Sequence, residues 1–246
     1  MQFRQHSVTI AVALGSCVAA ACGDSAQVQD AAKPDARVAD ARLADARVDA
    51  APDAAPDAPC DTVLLAPGTL PETQGWTAVT AMPFATTVRP TEVELSTSNG
   101  ATTSGLLLLT YPTGFTATTP FDLSVELAVD RVDAHNLLDA GAAILLSFTP
   151  QFGSGPQRSQ MLYLDGAAIG WGDETNQAAF NNVDGNFHDY RFSYDGAGKL
   201  EVRVDGSLLL TRMNPEIGTL AIGDQTNDPN VNSTIRVKRV VKHCLR

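Results

Sequence analysis

Between residues 186 and 211 apolar and polar side chains alternate with period two, interrupted by two glycine-containing turns. Tyr190, Phe192 and Tyr194 alternate with Asp189, Arg191 and Ser193, while Leu200, Val202 and Val204 alternate with Glu201, Arg203 and Asp205. Each run reads as a strand with one buried face. The apolar positions are even-numbered in both runs, so a connection with an odd residue count is needed to bring them to one sheet face. Gly196-Ala197-Gly198 supplies it, with Asp195 opposite Lys199 as a charge-matched closing pair and Gly198 left-handed. Asp205-Gly206 is a second, two-residue turn, which makes the stretch a three-stranded meander.

The same period organises most of what precedes and follows. Phe121 to Val129 puts Leu123, Val125, Leu127 and Val129 on one face and Asp122, Ser124, Glu126 and Ala128 on the other. Leu106 to Leu109 and Ala142 to Leu146 are continuous apolar runs, the pattern of central strands covered on both sides. Further strands are expected at Met161 to Leu164, around Leu220 and Ile222, and over Thr234 to Val240, with one short helical turn at His135 to Ala140. Many short strands separated by turn signals argue an all-β fold, a sandwich of two antiparallel sheets, over residues 60 to 246.

The first 59 residues differ in kind. Arg4 precedes an apolar run from Val8 to Ala21 that is too short to span a bilayer, so residues 1 to 22 read as a signal peptide. Ala19-Ala20-Ala21-Cys22-Gly23 resembles a bacterial lipoprotein box, which implies lipid attachment at Cys22. Leu14-Gly15-Ser16-Cys17 is a second match, and plain secretion with cleavage near Ala21 is the alternative. Lipid chains on such a cysteine would anchor the protein stably, its sole connection to a membrane. Residues 23 to 59 are dominated by Ala, Asp, Pro, Arg and Val, without an aromatic residue or a helical apolar stripe. A disordered linker is expected, with a transient helix over Asp35 to Arg47 as the alternative. It resembles the Ala/Asp/Pro stalks of surface lipoproteins from myxobacteria and their relatives. The expected address is the cell envelope, the outer membrane or cell surface.

In an exported chain, Cys60 and Cys244, which bracket the strand-rich part, are most simply a disulfide. The net charge of −11 and the lack of a basic domain argue against a nucleic-acid partner. The one cationic run, Arg236, Lys238, Arg239, Lys242 and Arg246, reads as the solvated face of a last strand guarding a sheet edge.

Phe187-His188-Asp189-Tyr190-Arg191-Phe192-Ser193-Tyr194-Asp195 resembles the W-H-H-V-A-V-T-Y-D strand of laminin-G-like domains. Val204-Asp205-Gly206 resembles that family's D-G hairpin, and Leu220-Ala221-Ile222-Gly223 its l-x-I-G strand. The resemblance implies a concanavalin A-like jelly roll. Folds of this kind host lectins, adhesive modules, hydrolases and spacers, so function must come from a site.

Glycosidases on this fold carry E-x-D-x-E or E-x-D-x-x-E along a strand, two carboxylates flanking the sugar. In Glu92-Val93-Glu94-Leu95-Ser96-Thr97 a threonine replaces the acid/base, and between Glu126 and Asp130 Ala128 replaces the middle aspartate. No catalytic residue is assigned. His188 shares the parity of the buried Tyr190 and is expected to pack or make one structural hydrogen bond, and Trp76 to join the core; His135 and His243 have no partner legible in sequence. Two polar loops are the candidates for ligand binding. Trp171, Asp173, Glu174 and Asn176 combine an aromatic face with carboxylate and amide oxygens that suit a sugar ring or calcium, and residues 223 to 230 offer similar oxygens. The reading is a non-catalytic binding or adhesion module for glycan or an envelope protein, with an unrecognised hydrolase or a structural envelope component as alternatives.

Overall fold

The computed structural model describes residues 60–80, 86–97, 106–133, 141–148, 161–173, 175–226 and 230–245. The signal, both candidate lipid sites, the linker, Glu174 and the expected turn at 135–140 lie outside them. Fifteen strands are described: β1 Thr62–Leu65, β2 Thr77–Thr80, β3 Thr86–Val88, β4 Val93–Ser96, β5 Leu107–Pro112, β6 Phe121–Val132, β7 Ala143–Leu145 and β8 Met161–Leu164. They continue as β9 Ala168–Trp171, β10 Gln177–Ala179, β11 His188–Tyr194, β12 Lys199–Val204, β13 Ser207–Met213, β14 Thr219–Asp224 and β15 Ser233–His243. The one described helix is a single 3-10 turn, Pro71–Gln74.

Two antiparallel sheets result. The first has the order β13-β12-β11-β6-β15-β4-β3, with β1 pairing the far end of β15; the second has the order β10-β9-β8-β7-β14-β5-β2. Their facing sides meet in one core: Leu123, Val125 and Leu127 of β6 with Tyr190 and Phe192 of β11, against Leu109, Ile144, Leu162, Trp171 and Ile222 of the second sheet. Trp76 joins that core as expected and donates its indole N–H to Leu64 O at 2.7 Å. The second sheet is apolar on its outer side as well, where Leu108, Leu145, Met161, Tyr163 and Ala221 form a separate buried cluster. The continuous apolar runs in the sequence have this cause.

The meander folds as its pattern requires. Tyr194 pairs with Leu200, and Phe192 with Val202, on one face. Asp205 and Gly206 both have positive φ, 50° and 82°, the mirror-image turn that matches strand twist. The Asp195–Lys199 ion pair does not form. Asp195 Oδ1 instead accepts the amides of Ala197 (2.7 Å) and Lys199 (2.9 Å), while Lys199 Nζ turns to Glu201 at 2.6 Å. Two amides held by the loop backbone are fixed donors for the carboxylate, whereas a lysine head must lose side-chain freedom to reach it.

The cationic strand is also placed differently from expectation. β15 is interior to its sheet, between β6 and β4, and its charges pair across the strands rather than guard an edge. Arg236 holds Asp130 in a fork at 2.8 and 2.7 Å, and Lys238 and Arg239 both reach Glu126 at 2.7 Å. Cys60 and Cys244 form the expected disulfide, with Cα atoms 5.7 Å apart.

Candidate functional site

The two loops singled out by sequence behave differently. Trp171 is the last residue of β9 and 2% exposed, so its ring belongs to the core. Arg212 of β13 covers it, guanidinium carbon 5.0 Å from the ring centroid, and pairs with Asp173 at 2.9 Å. Burial works against the Asp173 carboxylate, but Arg212 and Thr175 outweigh it and hold its pKa below the usual range. Thr175 Oγ1 donates to Asp173 at 2.7 Å, and Asn176 Nδ2 donates to Thr211 O at 2.7 Å. Trp171, Asp173 and Asn176 therefore form a clasp tying the second sheet's margin to β13 of the first. The stacking platform for a sugar expected at Trp171 is overturned, because a core ring cannot offer an open face.

The loop after β14 is the reverse case. β4, β14, the residues before β7 and the start of β15 converge at one end of the sandwich on Asp224, which is 2% exposed. Gly223 places it there: its φ is 137°, and a Cβ would meet Leu107 O at 2.2 Å, so only glycine lets β14 lie this close to β5. Thr97 Oγ1 donates to Asp224 Oδ2, and the amide of Thr226 donates to Oδ1 at 2.9 Å. Ser233 N donates to Thr97 Oγ1 at 2.9 Å, and Ser233 Oγ to Gly141 O at 3.1 Å. A Cβ on Gly141 would stand 3.0 Å from Asp224 Oδ2 and 2.6 Å from Asn232 C, which keeps this wall backbone-only. Among the described residues no Lys, Arg or His pairs with Asp224. Burial pushes its pKa up to about 7 against the two hydrogen bonds. The neighbouring Gln225 has a buried Oε1 with no hydrogen-bond partner among the described residues. An anionic group and an unmatched amide oxygen, both out of water, form an environment that a hard cation relieves.

The remaining candidates are structural. Thr97, which occupies the acid/base position of the broken glycosidase pattern, is the Asp224 donor; Glu94 is bound by Arg89 at 2.6 Å. His188 makes two contacts rather than one, Nδ1 to Asp205 at 2.7 Å and Nε2 to Asp184 at 3.1 Å. Burial lowers its pKa, but the two carboxylates outweigh that and raise it. Cys60, Asp61 and Cys244 are the one group among the described residues whose atoms lie as metal ligands would, and two of them are the disulfide.

No family model and no curated protein matches the chain. Solved structures do. The calcium-bound exoplasmic/lumenal domain of VIP36 is 12% identical, covering 75% of this chain and 90% of that one, with a TM-score of 0.51. The carbohydrate recognition domain of Emp46p is 8% identical over 70% and 89%, at a TM-score of 0.49. The polysaccharide lyase family 7 alginate lyase AlgAT5 is 14% identical over 67% and 84%, at 0.47. At such identities the likeness is one of fold, and the protein has the concanavalin A-like jelly roll.

Proposed function

We propose that the sandwich is a glycan-binding module that works through the Asp224 rim with a bound calcium ion, binding rather than cleaving glycosides. The observation that carries this reading is a buried carboxylate with no cationic partner among the described residues, beside an unmatched amide oxygen, at the end of a lectin-type sandwich. Asp224 and Gln225 are the described groups that would hold the ion, which would supply a fixed positive charge for sugar hydroxyls; Thr97 orients the carboxylate. The VIP36 structure of the same fold contains calcium, which supports the choice of ion. The sequence context supports presentation at the cell envelope: a signal peptide, lipid attachment at Cys22 with Cys17 as the alternative, and a stalk over residues 23–59.

A glycan-array screen of the full chain with calcium, and again with EDTA, tests this. Retention that needs calcium and disappears in Asp224→Asn is the expected result. Retention indifferent to both would remove the rim from the site. No retention on any glycan, with calcium still raising the melting temperature, would leave an envelope protein as the partner.

A further inference from the structure

On the outer face of the first sheet, at the disulfide end, a hydroxyl, an imidazole and a carboxylate stand in one line. Ser124 Oγ lies 2.8 Å from His243 Nε2, and His243 Nδ1 lies 2.9 Å from Asp61 Oδ2. Three remote parts of the chain supply them. Ser124 sits on β6, His243 ends β15 two pairs further along the same ladder, opposite Asp122, and Asp61 precedes β1, which pairs with β15. The Cys60–Cys244 bridge adjoins both Asp61 and His243, and Asp61 Oδ1 also accepts the Cys244 amide at 3.0 Å, which fixes the carboxylate's orientation.

A polar cleft of about 490 Å³ opens beside them, lined by Asp61, Asp122, Arg191 and His243. Arg191 is the cross-strand partner of Ser124 on β11. Its Nε and one Nη grip Asp122 at 2.8 and 2.6 Å, so the guanidinium is fixed on the strand face that carries the serine. Asp189, half-buried on the same strand, is a second carboxylate within hydrogen-bonding reach of the Ser124 hydroxyl, and burial raises its pKa. Ser124 is 6% exposed and is not itself among the residues lining the cleft; it meets the cleft through its hydrogen bond to His243, which is.

We propose that this cleft is an acyl-transfer site for small O-acyl esters of polar alcohols, with Ser124 as nucleophile, His243 as its base, Asp61 as the positioning residue and Arg191 facing the oxyanion. The geometric roles are those of a nucleophile, its base and the group that orients the base. Ser124 Oγ attacks the ester carbonyl carbon while its proton passes to His243 Nε2. The tetrahedral oxyanion, facing Arg191, collapses and the carbon–oxygen bond to the alcohol breaks, the leaving oxygen taking the proton from His243. Water, deprotonated by the same imidazole, then attacks the acyl-serine and releases the carboxylic acid, restoring the hydroxyl. The sum is ester plus water to acid plus alcohol.

The test uses the full oxidised chain, a fluorophosphonate probe with peptide mapping, and p-nitrophenyl acetate hydrolysis. Labelling is expected at Ser124 and is lost in Ser124→Ala, whose melting temperature should match the parent. His243→Ala should lower turnover about 100-fold, with partial rescue by added imidazole. Asp61→Asn should lower kcat about tenfold while KM stays within about twofold, a split that general loosening of the fold would not give. EDTA should leave labelling intact, which separates this site from the calcium rim. A folded parent that takes no label at Ser124 and hydrolyses no faster than Ser124→Ala would reduce the trio to a structural tie between strands.

Discussion

The Trp171 loop and the Asp224 loop carry nearly the same residue types, yet in one the carboxylate is paired with an arginine and in the other it is buried without a cationic partner among the described residues. Around Trp171 the charged groups are paired within the protein: Arg212 covers the ring and binds Asp173, and Asn176 donates to Thr211, although the indole N–H and Arg212 Nε are buried without a hydrogen-bond partner among the described residues. Around Asp224 a full carboxylate is withdrawn from water with, among the described residues, a hydroxyl and an amide as its hydrogen-bond partners. The difference lies in whether the buried carboxylate has a cationic partner after folding, and composition does not report that.

Four substitutions probe the contrast, in descending size. Trp171→Ala should destabilise by roughly 3–5 kcal/mol in urea unfolding, because it empties a core position, and glycan retention should fall only as the fold does. Retention lost from a fully folded variant would restore Trp171 as a ligand residue. Asp224→Asn should stabilise the calcium-free protein by about 2 kcal/mol at pH 8 and abolish the calcium-induced rise in melting temperature. The sign follows from a folded pKa near 7 against an ordinary 3.8. Between those values the folded state holds a proton that the unfolded chain has lost, so calcium-free stability declines as pH rises through that window. A flat profile would mean that the charge is already compensated.

Arg212→Met keeps apolar cover over Trp171 but removes the partner of Asp173, and about 1–2 kcal/mol should be lost at neutral pH. A cost near zero would make the clasp dispensable. Smallest is His188→Gln, about 0.5 kcal/mol, measured as a difference between pH 6 and pH 8. The His188 pKa is raised from 6.5, so its contribution is complete below 6.5 and fades as pH climbs through the higher folded value. A contribution that grows with pH would contradict the two-carboxylate clamp.

The meander was legible because strict alternation and glycine turns fix both register and face. β9 was missed: Ala168-Ile169-Gly170-Trp171 has no alternating polar residue, and the Gly172-Asp173 turn signal drew Trp171 into the loop. The polar constellations could not be read, since their members are remote in sequence: Thr97 lies 127 residues from Asp224, Ser124 lies 119 from His243, and Asp61 lies 182 from His243. One signal was present. The adjacent cations Lys238 and Arg239 followed by adjacent Val240 and Val241 mark the irregularity at which β15 changes parity, and that change turns His243 to the outer face beside Ser124.

β15 starts at the Asp224 rim, where Ser233 bonds Thr97, and ends next to the Cys60–Cys244 bridge, so its eleven residues run roughly 35 Å through the interior of one sheet. A tug on the chain ahead of Cys60, opposed by a ligand gripped at the rim, is diverted by the covalent link from the four-residue β1 into this central strand. The load then acts lengthwise along β15 and must shear its ladder with β6 all at once, instead of unzipping a short outer strand one bond at a time. Reduction of the bridge should therefore weaken the protein under traction far more than at rest.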